Sequence, residues 1–197
     1  MGKAGLFLGA IVLAIVGFVG FAFSTRNKII AQDEATTRAW ANVESAYQRR
    51  LDLIPNLVEA VKGATKYEGE TLVQITEKRN QILALAKEQK TALAERDTSR
   101  MDQIEGSLLP AVRAYTGIAT EAYPNLRATD QFTSLQAELA GTENRVNVAR
   151  RDYNEAVAAL NTTIRQWGWL PLTGGVATRR PFEAAPGAAE APKVSFK

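Results

Sequence analysis

Apolar and polar positions divide this chain into one unbroken apolar run followed by a long series of helical stripes. From Ala4 to Phe23 no polar or charged side chain occurs, and the run matches the roughly 20 apolar residues that carry a helix across a bilayer. Ala22 and Ser24 sit like the small residues of a signal-peptide cleavage site. The apolar core of such a signal spans only about 7 to 15 residues, so the length favours an uncleaved anchor. Gly5 and Gly9, with Gly17 and Gly20 further on, have a spacing that lets two membrane helices approach closely, although membrane helices tolerate glycine without any partner. Leu6 stands where a myristoylation signal has Ser or Thr, so lipidation is not supported.

From Arg26 the apolar residues keep a helical period as far as Trp167. Trp40, Tyr47, Ile54 and Val61 recur every seventh residue, with Val43 and Leu57 between them and Leu51 and Val58 widening the stripe. This predicts an amphipathic helix of heptad type. No cap marks its start, so Asn27 to Ile30 reads as an outward continuation of the membrane helix, and Gly63 and Gly69 mark its end. Pro55 lies within the stripe, where a residue lacking an N–H removes a hydrogen bond and crowds the preceding turn. A kink or short break is expected near Leu53 to Pro55; the other reading has Pro55 starting a separate helix.

A second helix is predicted from Thr71 to about Arg96 on Leu72, Ile75, Ile82, Leu85 and Leu93. Asp97-Thr98-Ser99 offers N-cap side chains for a third, whose stripe runs through Met101, Ile104, Leu108, Val112, Tyr115, Ala119 and Ala122 to Pro124. That helix also holds a proline, Pro110, and a second kink is expected there. Thr129 and Asp130 precede the most regular stretch, with Phe132, Leu139, Val146, Tyr153, Leu160 and Trp167 spaced by sevens. It implies a helix of about 38 residues at 1.5 Å per residue.

No stretch alternates with period two, so the expected fold class is all-α. The architecture read from the pattern is an N-terminal transmembrane helix followed by an elongated antiparallel bundle of about four helices, because short connections turn neighbours antiparallel. Three regions follow: a membrane anchor over 1–25, a helical bundle over 26–167 and a Pro/Gly/Ala-rich tail over 168–197. Pro171, Gly174, Gly175, Pro181, Pro186, Gly187 and Pro192 make most of that tail irregular. Arg179-Arg180-Pro181-Phe182 stands out within it as a segment able to dock on the bundle.

Composition narrows the chemistry. The net charge is +3, and acidic and basic residues alternate instead of forming a basic stripe, so nucleic acid is not an expected partner. Neither cysteine nor histidine occurs, which removes thiolate chemistry, the commonest general base and the commonest transition-metal ligand. Carboxylate iron sites of the ferritin type also need histidine, so the abundant Asp and Glu side chains read as a solvated face. No enzyme, cofactor, catalytic residue or metal site is expected. Arg49-Arg50, with Asp52 and Glu59 nearby, is a candidate phosphate or carboxylate site against the commoner salt-bridged helix surface. Asn56, Asn144, Asn154 and Asn161 lie on or beside the stripes, where a partnered amide fixes register or assembly; the competing reading turns them to water. Trp40, Trp167 and Trp169 read first as core or interface aromatics and only second as membrane-interface anchors.

The run Tyr47-Gln48-Arg49-Arg50-Leu51-Asp52-Leu53-Ile54-Pro55-Asn56-Leu57-Val58-Glu59-Ala60-Val61-Lys62-Gly63 closely resembles the signature of the LemA family of bacterial membrane proteins. Tyr123-Pro124-Asn125-Leu126, Leu135-Gln136-Ala137-Glu138-Leu139, Thr142-Glu143-Asn144-Arg145-Val146, Arg150-Arg151-Asp152-Tyr153-Asn154, Leu160-Asn161 and Arg180-Pro181-Phe182-Glu183 extend the resemblance along the chain. It departs in having Gln166-Trp167-Gly168-Trp169-Leu170-Pro171 where relatives place Phe-Pro, and in Pro110. The resemblance implies an anchored helical bundle, no assigned enzymatic activity and a short N-terminus outside the cytoplasm.

The functional expectation is a membrane-anchored helical scaffold that self-assembles in the bacterial cell envelope, with other envelope proteins as further partners. The alternative is a module that binds a lipid, peptide or cell-wall component. Assembly contacts are expected among Arg49, Arg50, Pro55, Asn56, Asn144 and Asn154. Lys3 on one side of the span and Arg26 and Lys28 on the other barely discriminate an orientation. A short N-terminus is easily retained and a long domain translocates regardless of charge. The expectation is therefore an inner-membrane protein, single-pass, with an extracytoplasmic bundle; a cytoplasmic bundle is the alternative.

Overall fold

The computed structural model describes residues 2–64, 70–169 and 175–183. The expectations placed on Gly69, Pro171, Gly174, Pro186, Gly187 and Pro192 lie outside them. Among the described residues the secondary structure is all helix: α1 Lys3–Ala64, α2 Glu70–Glu95, α3 Thr98–Ala122, α4 Pro124–Arg127 and α5 Asp130–Trp167. The all-α class is thus what forms. α1 runs through the apolar stretch and the first heptad stripe as one helix, as the missing cap at Asn27 to Ile30 suggests. It is long and apolar enough to cross a membrane, and of its most apolar part only 6% is buried, unlike a core helix of similar composition.

Neither proline interrupts its helix. Pro55 is interior to α1 and Pro110 to α3, so the expected break near Leu53 to Pro55 is absent and Pro55 does not start a helix of its own. The physical reason is that Pro55 lies on the exposed side while Leu53, Ile54, Leu57 and Val58 around it are buried. Burying such side chains contributes about 1.5 to 3 kcal/mol each, against roughly 3 kcal/mol for an interior proline.

The chain groups into two compact units: one of Met1–Ala41 with Arg151–Pro181, and one of Asn42–Arg150 with Phe182–Lys197. In the first, α1 and α5 run antiparallel. Phe21 meets Trp167 edge to face with ring centres 4.9 Å apart, and Trp40 meets Tyr153 in the same way at 5.2 Å. Moving up α1 therefore means moving down α5. Ala22, Ile29 and Thr36 are buried on α1 and Tyr153, Val157, Leu160 and Thr163 on α5. The hydroxyls of Thr36 and Thr163 donate to carbonyls one turn back in their own helices, those of Gln32 and Ala159, which satisfies them inside the seam.

Within that unit the segment ending at Pro181 lies along α5. Asn161 Nδ2 donates to the Arg179 carbonyl at 2.8 Å, while Asn161 Oδ1 accepts the Arg179 N–H at 2.9 Å. Tyr153 OH donates to the Arg180 carbonyl at 3.3 Å, and the Arg179 guanidinium pairs with Asp33 at 2.9 Å. The tail segment singled out in the sequence is docked by these bonds, and Asn161 uses its amide to hold backbone.

The second unit packs the later part of α1 with α2, α3, α4 and the first part of α5. Asp97 caps α3 by accepting the Arg100 N–H at 3.1 Å, as the sequence suggests. α2 closes in a Schellman turn, with Asp97 N–H on the Ala92 carbonyl and Arg96 N–H on that of Leu93. Arg96 takes φ 54 at the position where glycine is usual. α4 is a single turn opened by Pro124, whose missing N–H is harmless at a first position.

Leu160 is fully buried on α5. Leu160→Ala should lower stability by about 2 to 5 kcal/mol, read from chemical denaturation of the full-length protein in mild detergent. An unchanged midpoint would contradict the seam described here.

Candidate functional site

The sequence pattern places a charge inside the core. Counting Trp40, Tyr47, Ile54 and Val61 as one heptad position of α1, the companion core position holds Val43, Arg50 and Leu57. Arg50 occupies that place and is 3% exposed. Its guanidinium pairs with the Glu105 carboxylate of α3, itself largely buried, and lies 5.6 Å from the centre of the Tyr47 ring. Nε and Nη2 of Arg50, Oε2 of Glu105 and the Tyr47 hydroxyl are buried with no hydrogen-bond partner among the described residues. Burial, then the Glu105 carboxylate, holds the Tyr47 hydroxyl far above its ordinary pKa, while Arg150 and Arg50 draw it down; it stays protonated.

A second ion pair lies between α3 and α5, where Arg150 pairs with Asp102. Asp102 also accepts the Glu183 N–H at 2.8 Å, and Arg150 donates to the Glu183 carbonyl at 3.0 Å. Arg150 stacks 4.7 Å from the centre of the Phe182 ring, which is 4% exposed. Burial raises the Asp102 carboxyl above its usual range against the Glu183 N–H and the Arg150 charge, both of which lower it. Each of the two carboxylates thus faces an arginine across a helix interface.

Beside the first pair runs an apolar groove of about 170 Å³, with Arg50 and Ile54 of α1 on its lining, Leu108 and Val112 of α3 on one wall and Leu139 and Ala140 of α5 on the other. Arg113 and Glu143, also on its lining, form an ion pair at 3.3 Å. A dry cavity of about 150 Å³ takes a guest the size of benzene, which sets the scale of what fits. Among the described residues no three His, Cys, Asp or Glu side chains gather as metal ligands.

The residues expected to form contacts separate here. Arg49 is exposed and pairs with Glu138 of α5 at 2.9 Å, so the two adjacent arginines have different surroundings. Pro55, Asn56 and Asn144 are exposed and Asn154 is half-buried. Only Arg50 belongs to the cluster. Glu105 and Asp102 belong to no sequence motif, although each follows directly on a stripe residue, Ile104 and Met101, and Arg150 stands out only within the motif that begins with it.

The sequence matches the LemA family over residues 39–196. The chain belongs to the LemA family. The match begins beyond the apolar run, so the anchor is read from this chain's own residues. Magnetosome protein MamQ 2 of Paramagnetospirillum magneticum is 25% identical over 174 residues, covering 80% of this chain and 64% of that protein. Protein LemA of Metamycoplasma hominis is 24% identical over 150 residues, covering 76% of this chain and 64% of its own length. Magnetosome protein MamQ of Magnetospirillum gryphiswaldense is 24% identical over 184 residues, covering 85% and 67%. This LemA-family chain thus spans a little under two thirds of the first of these relatives.

Removing one partner of a buried pair leaves the other charge uncompensated, whereas replacing both with apolar groups is often neutral or stabilising. Arg50→Met alone should cost about 3 to 5 kcal/mol, and Arg50→Met with Glu105→Leu should recover most of that. Denaturant titration of the single and double variants reads the difference. Equal losses in both would mean that the pair supplies net stability.

Proposed function

We propose that this LemA-family protein is a membrane-anchored, non-enzymatic helical scaffold of the bacterial cell envelope whose copies associate within the membrane plane. The observation that carries the reading is how α1 is divided. From Leu6 to Phe23 its side chains are exposed apart from Ala22, while Trp40, Tyr47, Ile54 and Val61 are buried inside the chain. The heptad faces are consumed by the protein's own core and are not free for a partner. Beyond the apolar run, the exposed large apolar side chains among the described residues are scattered, as Ile30, Leu72, Val73, Leu83 and Val148, with Trp169 set apart just after α5. Lateral association therefore uses the anchor, where confinement to one surface raises effective concentration. The relatives' names carry no reaction, which accords with a non-catalytic role. The working division is an anchor over 1–25, a bundle over 26–167 and a tail over 168–197.

A second reading rests on the groove at Arg50: a module that holds a small amphipathic guest, its apolar part against Leu108 and Leu139 and its polar group on the side that Arg50 lines. Native mass measurement of the detergent-extracted full-length protein separates the two. The scaffold reading expects a defined oligomer that Gly5→Leu with Gly9→Leu shifts towards monomer, since neither glycine has any neighbour within 4 Å of an added Cβ in the chain itself. A wild-type monomer carrying added small-molecule mass would favour the groove, and a bare monomer would sink both.

The orientation proposed is a retained N-terminus with the bundle outside the cytoplasm. The chain has no cysteine, so Ala94→Cys, on an exposed position of α2, introduces a single thiol. It should react with a membrane-impermeant reagent in intact spheroplasts. Reaction only after lysis places the bundle in the cytoplasm.

A further inference from the structure

The exposed apolar surface does not stop at α1. α5 ends at Trp167, and Gly168 donates its N–H to the Ile164 carbonyl at 2.6 Å. A Cβ at Gly168 would lie 2.5 Å from that same oxygen, so only glycine lets the chain turn there and present the next residue. That residue is Trp169, 69% exposed. An exposed indole beside the half-buried Trp167 offers an apolar body with a polar N–H, the kind of surface that suits a membrane interface.

One ring contact and one buried residue set the level of this tip against the apolar run. Phe21, which meets Trp167 ring to ring, is two residues from the end of the run at Phe23, or about 3 Å along the helix axis. Ala22 is the one buried residue from Gly5 to Phe23, so protein begins to sheathe α1 inside the run and not beyond it. Its heptad register explains why: Ala22, Ile29 and Thr36 are buried at intervals of seven. Just past the run Arg26 and Lys28 are exposed, and Arg165 is exposed on the last turn of α5. Tryptophan near the apolar boundary with basic side chains outside it is the arrangement that suits the headgroup layer.

We propose that the tip of α5, Trp167 to Trp169, sits in the lipid headgroup region and gives the domain a second, non-spanning hold on the bilayer. The proposal rests on α1 crossing that bilayer. A helix returning to the surface from which α1 emerges fixes the domain's tilt, because two points of contact replace one swivel. The indole rings lie where their apolar bodies meet acyl chains and their N–H groups meet polar lipid.

The test uses the full-length protein in vesicles of phosphatidylcholine and phosphatidylglycerol whose acyl chains carry bromine either near the headgroup or near the bilayer centre. The Trp167→Phe, Trp169→Phe variant, which keeps only Trp40, buried in the seam, serves as the reference. Shallow bromine should quench most of the Trp169 emission in the Trp40→Phe, Trp167→Phe variant, and deep bromine should quench less. Trp169→Phe alone, which keeps the Phe21 contact, should remove most of the shallow-quenched component of the otherwise unaltered protein. Vesicle-bound protein with Trp169 no more quenched than Trp40 overturns the inference while leaving the span intact. Release of the protein by alkaline carbonate overturns the span, and the inference with it.

Discussion

Burial of one stripe on α1 is the constraint from which the rest follows. Ala22, Ile29, Thr36, Val43, Arg50 and Leu57 occupy a single heptad position, and all are buried. Its neighbours at Trp40, Tyr47, Ile54 and Val61 are buried with it. Because the repeat is uninterrupted, no cap or linker is needed between the apolar run and the bundle helix. The proline inside it is tolerated for the same reason: the apolar contacts on either side outweigh one lost hydrogen bond.

Against that background the charges in the core are expensive. A buried ion pair seldom stabilises as much as apolar side chains of the same volume would. Arg50 with Glu105 links α1 to α3, and Arg150 with Asp102 links α3 to α5, so the two pairs bear on the same three helices. Charges at core positions cannot be satisfied in a shifted register, and that penalty on alternatives is what such pairs supply. The Arg50 pair also leaves buried guanidinium N–H groups without a hydrogen-bond partner, and Arg50 lines the apolar groove.

Membrane and family findings meet at the same helix from different directions. The LemA-family match covers 39–196 and so describes the bundle and tail, whereas the apolar run stands outside it. The run is nonetheless continuous with the bundle in sequence register, and Ala22 belongs to both descriptions. Attachment to a membrane and folding of the domain are therefore consequences of a single helix.

The sequence by itself determined the helices, because hydrophobic period and capping are local. Spacing by sevens located α1 and α5, Asp97 located the start of α3, and the span was legible as twenty-odd uncharged positions judged against a bilayer of known thickness. The family was legible too, in a motif from Tyr47 to Gly63. Partner choice was not, since it depends on which faces meet after folding. Arg49 and Arg50 look alike in sequence, yet one heptad step puts the first in water and the second in the core. Asn161 ended on backbone instead of another helix because the tail lies beside it. Pro55 promised a break that packing suppressed. Only the tertiary structure could bring Trp167 to Phe21, residues at opposite ends of the chain whose contact follows from two helices running antiparallel and from nothing local in either.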